Sequence, residues 1–436
     1  MTWKKEKFKT LIQHKSGYTW SKEQETKIPE PKTVRVLTVT NIQKELDLSS
    51  ELYLKDVSDI NKIKKAVSKE WSIAVSSNGN RKRIGNAVYI KENSEYLFAS
   101  FLTAFKPKEY ADILSEYFFR WLNSHQIQER ITSVSEGTTG LGNLDIRYLR
   151  NMEIEYPENP KEQTAIATIL SKADEAIEAT RQSIKAAEKL KKALMQNLLT
   201  GKLKPDGTWR KDDEFYDDEK FGRVPVGWHI IKGNRITDKI TKGQSPKWQG
   251  FEYQDEGILF VTSENVRDGY IEINTPKYLP IEFHNKIKNS QLQKRDILIN
   301  IVGASIGRSA VFNLDVKYAN TNQAVCVFRP NKENDSSFLA YYLQDEYTQR
   351  RLLGTQVETA RANLSLGDFR KFKFIIPETK DEQILISEKL NEVTFTIQSK
   401  QTKIQTLQRL KKSLMQNLLT GKVRLDVEAI NKIISE

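Results

Sequence analysis

The sequence predicts an α/β (α+β) protein. Two globular domains with mixed sheets are separated by two long antiparallel helices forming a coiled-coil spacer, and the whole is an internal repeat of pseudo-twofold character. Three observations predict this. A thirteen-residue segment occurs twice, as LKKALMQNLLTGK from residue 190 and LKKSLMQNLLTGK from residue 410. Each copy closes a heptad seam free of internal Pro and Gly. Ahead of each seam lie short apolar and β-branched runs between Gly and Asn turns, which read as strands.

The repeat is matched at 12 of 13 positions, Ala193 against Ser413 being the exception, and its copies are 220 residues apart. The same spacing continues upstream without a gap. Asn143-Leu144 meets Asn363-Leu364, Arg150 meets Arg370, Pro157-Glu158 meets Pro377-Glu378, and Glu162-Gln163 meets Glu382-Gln383. Residues 143–202 and 363–424 are therefore assigned to the two helical segments. The globular domains are 1–142 and 223–362, 203–222 is a polar surface linker, and 425–436 is a C-terminal tail.

Steps of four and three from Ile166 give the first seam: Ile166, Leu170, Ala173, Ile177, Thr180, Ile184, Ala187, Lys191, Leu194 and Leu198. The second runs Ile386, Leu390, Val393, Ile397, Lys400, Ile404, Leu407, Lys411, Leu414 and Leu418. Pro157 and Pro377 precede the helices, and Gly201 and Gly421 stop them. Lys189, Lys191, Lys192, Lys411 and Lys412 suit the negative end of a helix dipole better than they suit DNA contact. Two such seams bury each other if they pair antiparallel, as rods roughly 50 Å long. Pairing of each seam with another chain satisfies the pattern too.

The globular segments diverge but share landmarks. Val34–Leu37 leads to Thr40-Asn41-Ile42 as Ile258–Val261 leads to Glu264-Asn265-Val266. Arg83-Ile84-Gly85 corresponds to Ser305-Ile306-Gly307, and Phe105-Lys106-Pro107 to Phe328-Arg329-Pro330. Tyr117–Phe119 and Leu339–Tyr342 read as helices.

The net charge of +12 and pI near 9.3 favour a polyanion, nucleic acid before an anionic membrane. One cysteine, Cys326, excludes an intrachain disulfide or a cysteine zinc site, and its apolar run places it in a core. No apolar stretch follows the basic start at Met1, and none is long enough to cross a membrane, so the expected location is cytoplasmic. Catalytic signatures are missing. Gly303–Ser309 has the wrong spacing for a phosphate loop and carries Arg308 where that loop has lysine. The adenine-methyltransferase motif Asn/Asp-Pro-Pro-Tyr/Phe does not occur, and His14, His125, His229 and His284 have no metal spacing. No catalytic residue, metal or cofactor is expected in this chain.

The doubled Leu-Met-Gln-Asn-Leu-Leu-Thr-Gly-Lys helix end resembles the conserved regions of type I restriction-modification specificity subunits. So do the Pro-x-x-x-x-Glu-Gln runs from Pro157 to Gln163 and from Pro377 to Gln383. Val224-Pro225-Val226-Gly227-Trp228 is similar to the family's usual domain start, which the first globular segment lacks. The resemblance implies two target-recognition domains, each reading half of a split, asymmetric site in double-stranded DNA. It implies helices that space the domains and dock two methyltransferase subunits, joined by motor-nuclease restriction subunits. Methyl donor, ATP and magnesium then belong to those partners. A stand-alone DNA-acting enzyme and a helical scaffold that does not read DNA are the competing readings.

Candidate DNA contacts follow from side-chain chemistry: Arg and Lys read guanine, Asn and Gln read adenine. In the first domain these are Asn78, Asn80, Arg81, Lys82 and Arg83. In the second they are Lys242, Gln244, Ser245, Ser305, Arg308, Asn320, Asn322 and Gln323. Many of them would touch phosphate only.

Overall fold

The computed structural model describes residues 2–135, 141–354, 363–426 and 428. It divides into two compact units, Met1–Arg181 with Thr402–Glu436, and Gln182–Gln401. The units do not end where the helices end. The long helices Pro160–Leu198 and Lys380–Leu418 are each continuous through a boundary between units.

The principal elements follow one another in the same order in both units. An opening strand (Trp3–Lys7; Trp228–Lys232) pairs antiparallel with the strand that precedes the long helix (Glu153–Pro157; Lys373–Pro377). A four-stranded antiparallel sheet follows. Its order in the first unit is Ile12–Ser16, Leu102–Pro107, Ser72–Val75, Ala87–Tyr89. In the second it is Thr237–Lys242, Val325–Pro330, Asp296–Asn300, Ser309–Phe312. Each unit adds a smaller sheet built on one parallel pair, Val36 beside Leu97 and Leu259 beside Ala319. Two helices cover the larger sheet, Ser115–Leu122 with His125–Val134, and Ser336–Gln344 with Glu346–Leu353. The stretch from residue 143 to the long helix is not helical throughout: a short helix, Ile146–Asn151, and a strand intervene, as Leu366–Lys371 and a strand do later.

All twenty seam positions are buried or half-buried, among them Ile184 and Ile404, which lie half-buried near the middle of the helices. The first unit's core joins Ile166 and Leu170 of the first helix to Leu418 of the second, with Leu414 packed alongside. The second unit's core joins Ile386 and Leu390 to Leu198, with Leu194 alongside. Within each unit the start of one long helix thus packs against the end of the other, which is antiparallel. Ile177 and Ile397 are buried as well.

The seam lysines have packing roles rather than a purely dipolar one. Lys411 pairs with Asp174 at 2.5 Å, and Arg120 holds the other oxygen of that carboxylate. In the second unit Tyr341 stands in place of Arg120. Its hydroxyl donates to Asn391 and meets Thr394, and Lys191 lies 5.3 Å from its ring centre. Burial lowers the pKa of Lys191. Cys326 is fully buried, and burial raises its thiol pKa.

The repeated Leu-Leu-Thr-Gly-Lys end has a physical reason. Gly201 and Gly421 have positive φ of 67° and 68° and end the helices in the left-handed conformation. Each lies against a tryptophan that opens a unit, Gly201 on Trp228 and Gly421 on Trp3. An arginine further on then covers the same ring, Arg210 over Trp228 and Arg424 over Trp3, both at 5.6 Å. Arg424 reaches Glu162 with two bonds of 2.7 Å, and Arg210 reaches Glu382 at 2.5 Å. Gly201→Ala should cost about 2 kcal/mol from the backbone conformation alone, with a further loss because its Cβ would strike Pro225. Thermal unfolding reads this; an unchanged midpoint would show that the helix end is not held there.

The stretch 203–222 is folded. Phe215–Asp218 and Gly222–Pro225 form a hairpin, and Arg351 lies 5.1 Å from the ring of Phe221. Among the described residues no helix is long and apolar enough to cross a membrane.

Candidate nucleic-acid interface

In the second unit, strand register gathers distant loops at one end of the four-stranded sheet. Lys242 is opposite Cys326, Asn300 opposite Val325, and Ile299 opposite Ser309. The loops beginning at Gly243, Ile301 and Asn322 therefore leave the sheet together. The close approach of Gly243 to the Thr321 carbonyl leaves no room for a Cβ and brings the first and third still closer.

The candidates meet different fates there. Lys242 is exposed, and Ser245 is half-buried. Gln244 accepts a 2.7 Å bond from Gln249. Arg308 is 40% exposed, with its Nε 3.7 Å from Asp268, so it is restrained but accessible. Asn322 accepts from the amide of Ala324 and shapes the turn. Gln323 is half-buried, and its Oε1 is enclosed without a hydrogen-bond partner among the described residues. Ser305 accepts a 3.0 Å bond from Asn300.

Asn320 does not belong to the surface. It is fully buried, meeting His284 Nδ1 and Ser290 Oγ at 2.6 Å each and donating to the Ile287 carbonyl. Its amide is spent closing the helix Ile281–Lys286 onto the smaller sheet, so no base edge reaches it.

The first unit has the same sheet end with a different loop. Ser77-Asn78 pairs with Gly142-Asn143, and Asn78 accepts from the amide of Asn80. Asn80 caps the turn Arg81–Arg83 by accepting from Lys82 N. Asn80, Arg81 and Lys82 are exposed. Arg83 turns inward and donates to the carbonyls of Val39 and Ile42 at 3.1 and 2.6 Å.

Sequence reasoning missed Trp248. It is 81% exposed on the turn Lys247–Gln249, beside exposed Lys247. The turn is tied down: Gly250 closes it with positive φ, the Phe251 amide donates to the Pro246 carbonyl, and Lys286 donates to the Gln249 carbonyl. An indole held in water beside a cation suits a groove wall or base. The Pro246-Lys247-Trp248 run between two strands was the available signal. Among the described residues no three His, Cys, Asp or Glu side chains are grouped to hold a metal.

The surface at each sheet end thus presents exposed basic side chains, Lys242 in the second unit and Arg81 and Lys82 in the first, among polar donors and acceptors on short loops.

Residues 1–189 and 235–409 match the family described as type I restriction modification DNA specificity domain. The putative type I restriction enzyme MjaX specificity subunit of Methanocaldococcus jannaschii is 24% identical over 431 residues, covering 97% of this chain and 94% of its own. The MjaVIII specificity subunit of the same organism is 26% identical over 309 residues, 69% of each chain. The EcoKI specificity subunit of Escherichia coli is 24% identical over 208 residues, 46% of this chain and 44% of its own. In fold, the chain is similar to the type I restriction-modification S subunit from M. genitalium, with TM-score 0.58 and 17% identity over 96% of both chains. The family match spans both repeats, and the chain belongs to the type I restriction-modification DNA specificity family.

Proposed function

We propose that each unit reads one half of a split, asymmetric duplex DNA target, and that the chain gives a type I restriction-modification complex its sequence specificity. One observation carries this reading. Two units share a framework, down to the glycine that ends each long helix, yet present unlike loops at the same sheet end. Equal frameworks with unequal reading loops suit unequal half-sites. The chain is the non-catalytic subunit. Modification and restriction subunits complete the complex, with two methyltransferase subunits on the two similar helical segments, and methyl donor, ATP and magnesium are theirs.

Methylome sequencing of the host with and without this gene tests the reading. A two-part methylated motif that disappears with the gene supports it. An unchanged methylome in a host whose partner subunits are active overturns it, as would methylation or cleavage of DNA by the purified chain alone.

Within this reading, Arg308→Ala should weaken DNA binding of the assembled complex. Loss of a phosphate contact lowers affinity on all sequences and shallows the salt dependence by about one unit of slope. Loss of a guanine contact relaxes one base position by about 1–3 kcal/mol. A titration across salt and sequence separates these, and unchanged affinity with unchanged preference removes Arg308 from the interface.

A further inference from the structure

Backbone hydrogen bonds align the two units residue by residue at the sheet end. Gly85 N donates to the Val75 carbonyl at 2.9 Å, and Gly307 N to the Asn300 carbonyl at 2.8 Å. Val75 N donates to Asn86 O as Asn300 N donates to Arg308 O. A glutamine from the covering helices then clamps each glycine carbonyl, Gln128 on Gly85 at 2.9 Å and Gln349 on Gly307 at 3.0 Å. Val75 therefore corresponds to Asn300, and Arg83 to Ser305, each two residues before its glycine.

A second landmark aligns as well. Asn41 accepts from Thr38 N at 2.8 Å, and Asn265 accepts from Thr262 N at 2.8 Å. Both close a turn after the parallel strand of the smaller sheet. Val39 thus corresponds to Ser263.

The carbonyl at that position is tethered in both units, by different side chains. In the first, Arg83 spans the distance alone and donates to Val39 O. In the second, Ser305 replaces Arg83 and is too short to reach. Asn300 spans it from the sheet instead, donating to Ser263 O at 2.9 Å and to Ser305 Oγ at 3.0 Å. Where Arg83 does the spanning, the sheet position is a plain buried valine, Val75. Asn300 is fully buried and its Oδ1 has no hydrogen-bond partner among the described residues. A buried, half-satisfied amide is costly, and the two bonds donated by its Nδ2 are what offset that cost.

We propose that Arg83 in the first unit, and Asn300 with Ser305 in the second, are positioning residues. They lock the glycine loop to the asparagine turn and so fix the base preference of the half-site that their own unit reads. The inference rests on the proposed function. Val75 with Arg83 and Asn300 with Ser305 are two solutions to one mechanical need, and reading loops must be held by supporting groups to discriminate.

The test uses the chain assembled with the modification subunits of its own system. Methylation rates are measured on duplexes carrying single-base changes in either half-site. Asn300→Val should lower discrimination at the second unit's half-site by about fivefold or more, leaving the other half-site unchanged. Arg83→Ala should do the reverse. The double variant Asn300→Val with Ser305→Arg installs the first unit's solution and should restore most of the discrimination. Unchanged discrimination in Asn300→Val overturns the proposal. So does equal relaxation of both half-sites, which marks a general loss of structure, and so does a double variant no better than the single one. A wild-type complex that methylates DNA with no two-part preference sinks the underlying reading instead, and the tether's role with it.

Discussion

Replacing Arg424 with alanine is expected to destabilise the first unit by about 3 kcal/mol and to lower its unfolding temperature by roughly 6–12 °C. The reason lies with the partner. The Glu162 side chain is 0% exposed, and Arg424 meets both of its oxygens. Removing the guanidinium leaves a carboxylate in the core without its counter-ion, the more costly way to break such a pair. It also uncovers the ring of Trp3.

The equivalent Arg210→Ala should cost less, by about 1 kcal/mol or more, because Glu382 is better supported. Its carboxylate is 24% exposed and keeps a 3.1 Å bond from Trp228 Nε1. Trp3 Nε1, by contrast, has no hydrogen-bond partner among the described residues. Calorimetry of the two variants against the wild type checks the ranking. Equal losses would mean that the exposure and indole bond of Glu382 do not outweigh the loss of Arg210, which also donates to the Gly201 carbonyl at 2.7 Å.

These clamps show where the sequence stops being legible. The repeat and its seam are periodic, and periodicity is a local property, so Ile166 to Leu198 and Ile386 to Leu418 can be read straight from spacing. Arg424 and Glu162 are 262 residues apart, and Arg210 and Glu382 are 172 apart. No local pattern links them, although Gly201 and Gly421 mark the place. The sheet-end loops are half legible for another reason. Residue type states which bonds a side chain can make, not which it has already made. Asn320 has the chemistry of an adenine reader and spends it on His284 and Ser290. Arg83 has that of a guanine reader and spends it on two backbone carbonyls. Asn300 lay hidden because its counterpart, Val75, is a different kind of residue. Only the hydrogen-bond register makes the two comparable.

On the proposed function, a heptad inserted into both long helices should lengthen the unread gap between half-sites without altering the half-sites. Both covalent connections between the units run through helix interiors, at Arg181-Gln182 and at Gln401-Thr402. These two points are 220 residues apart, the spacing of the repeat, so paired insertions there treat both copies alike. Seven residues add about 10 Å of helix and return the seam almost to phase. At roughly 3.4 Å per base step this corresponds to at most about three bases. Three bases also turn the second half-site by nearly a third of a helical turn around the duplex. The longer gap should therefore be read with reduced affinity, since protein or DNA must twist to meet it. Methylation of duplexes with graded gaps, by complexes carrying the paired insertions, measures both effects. An unchanged gap in a complex that still assembles would show that the helices do not set it. Altered half-site bases would show that the inserted turns themselves reach the base edges.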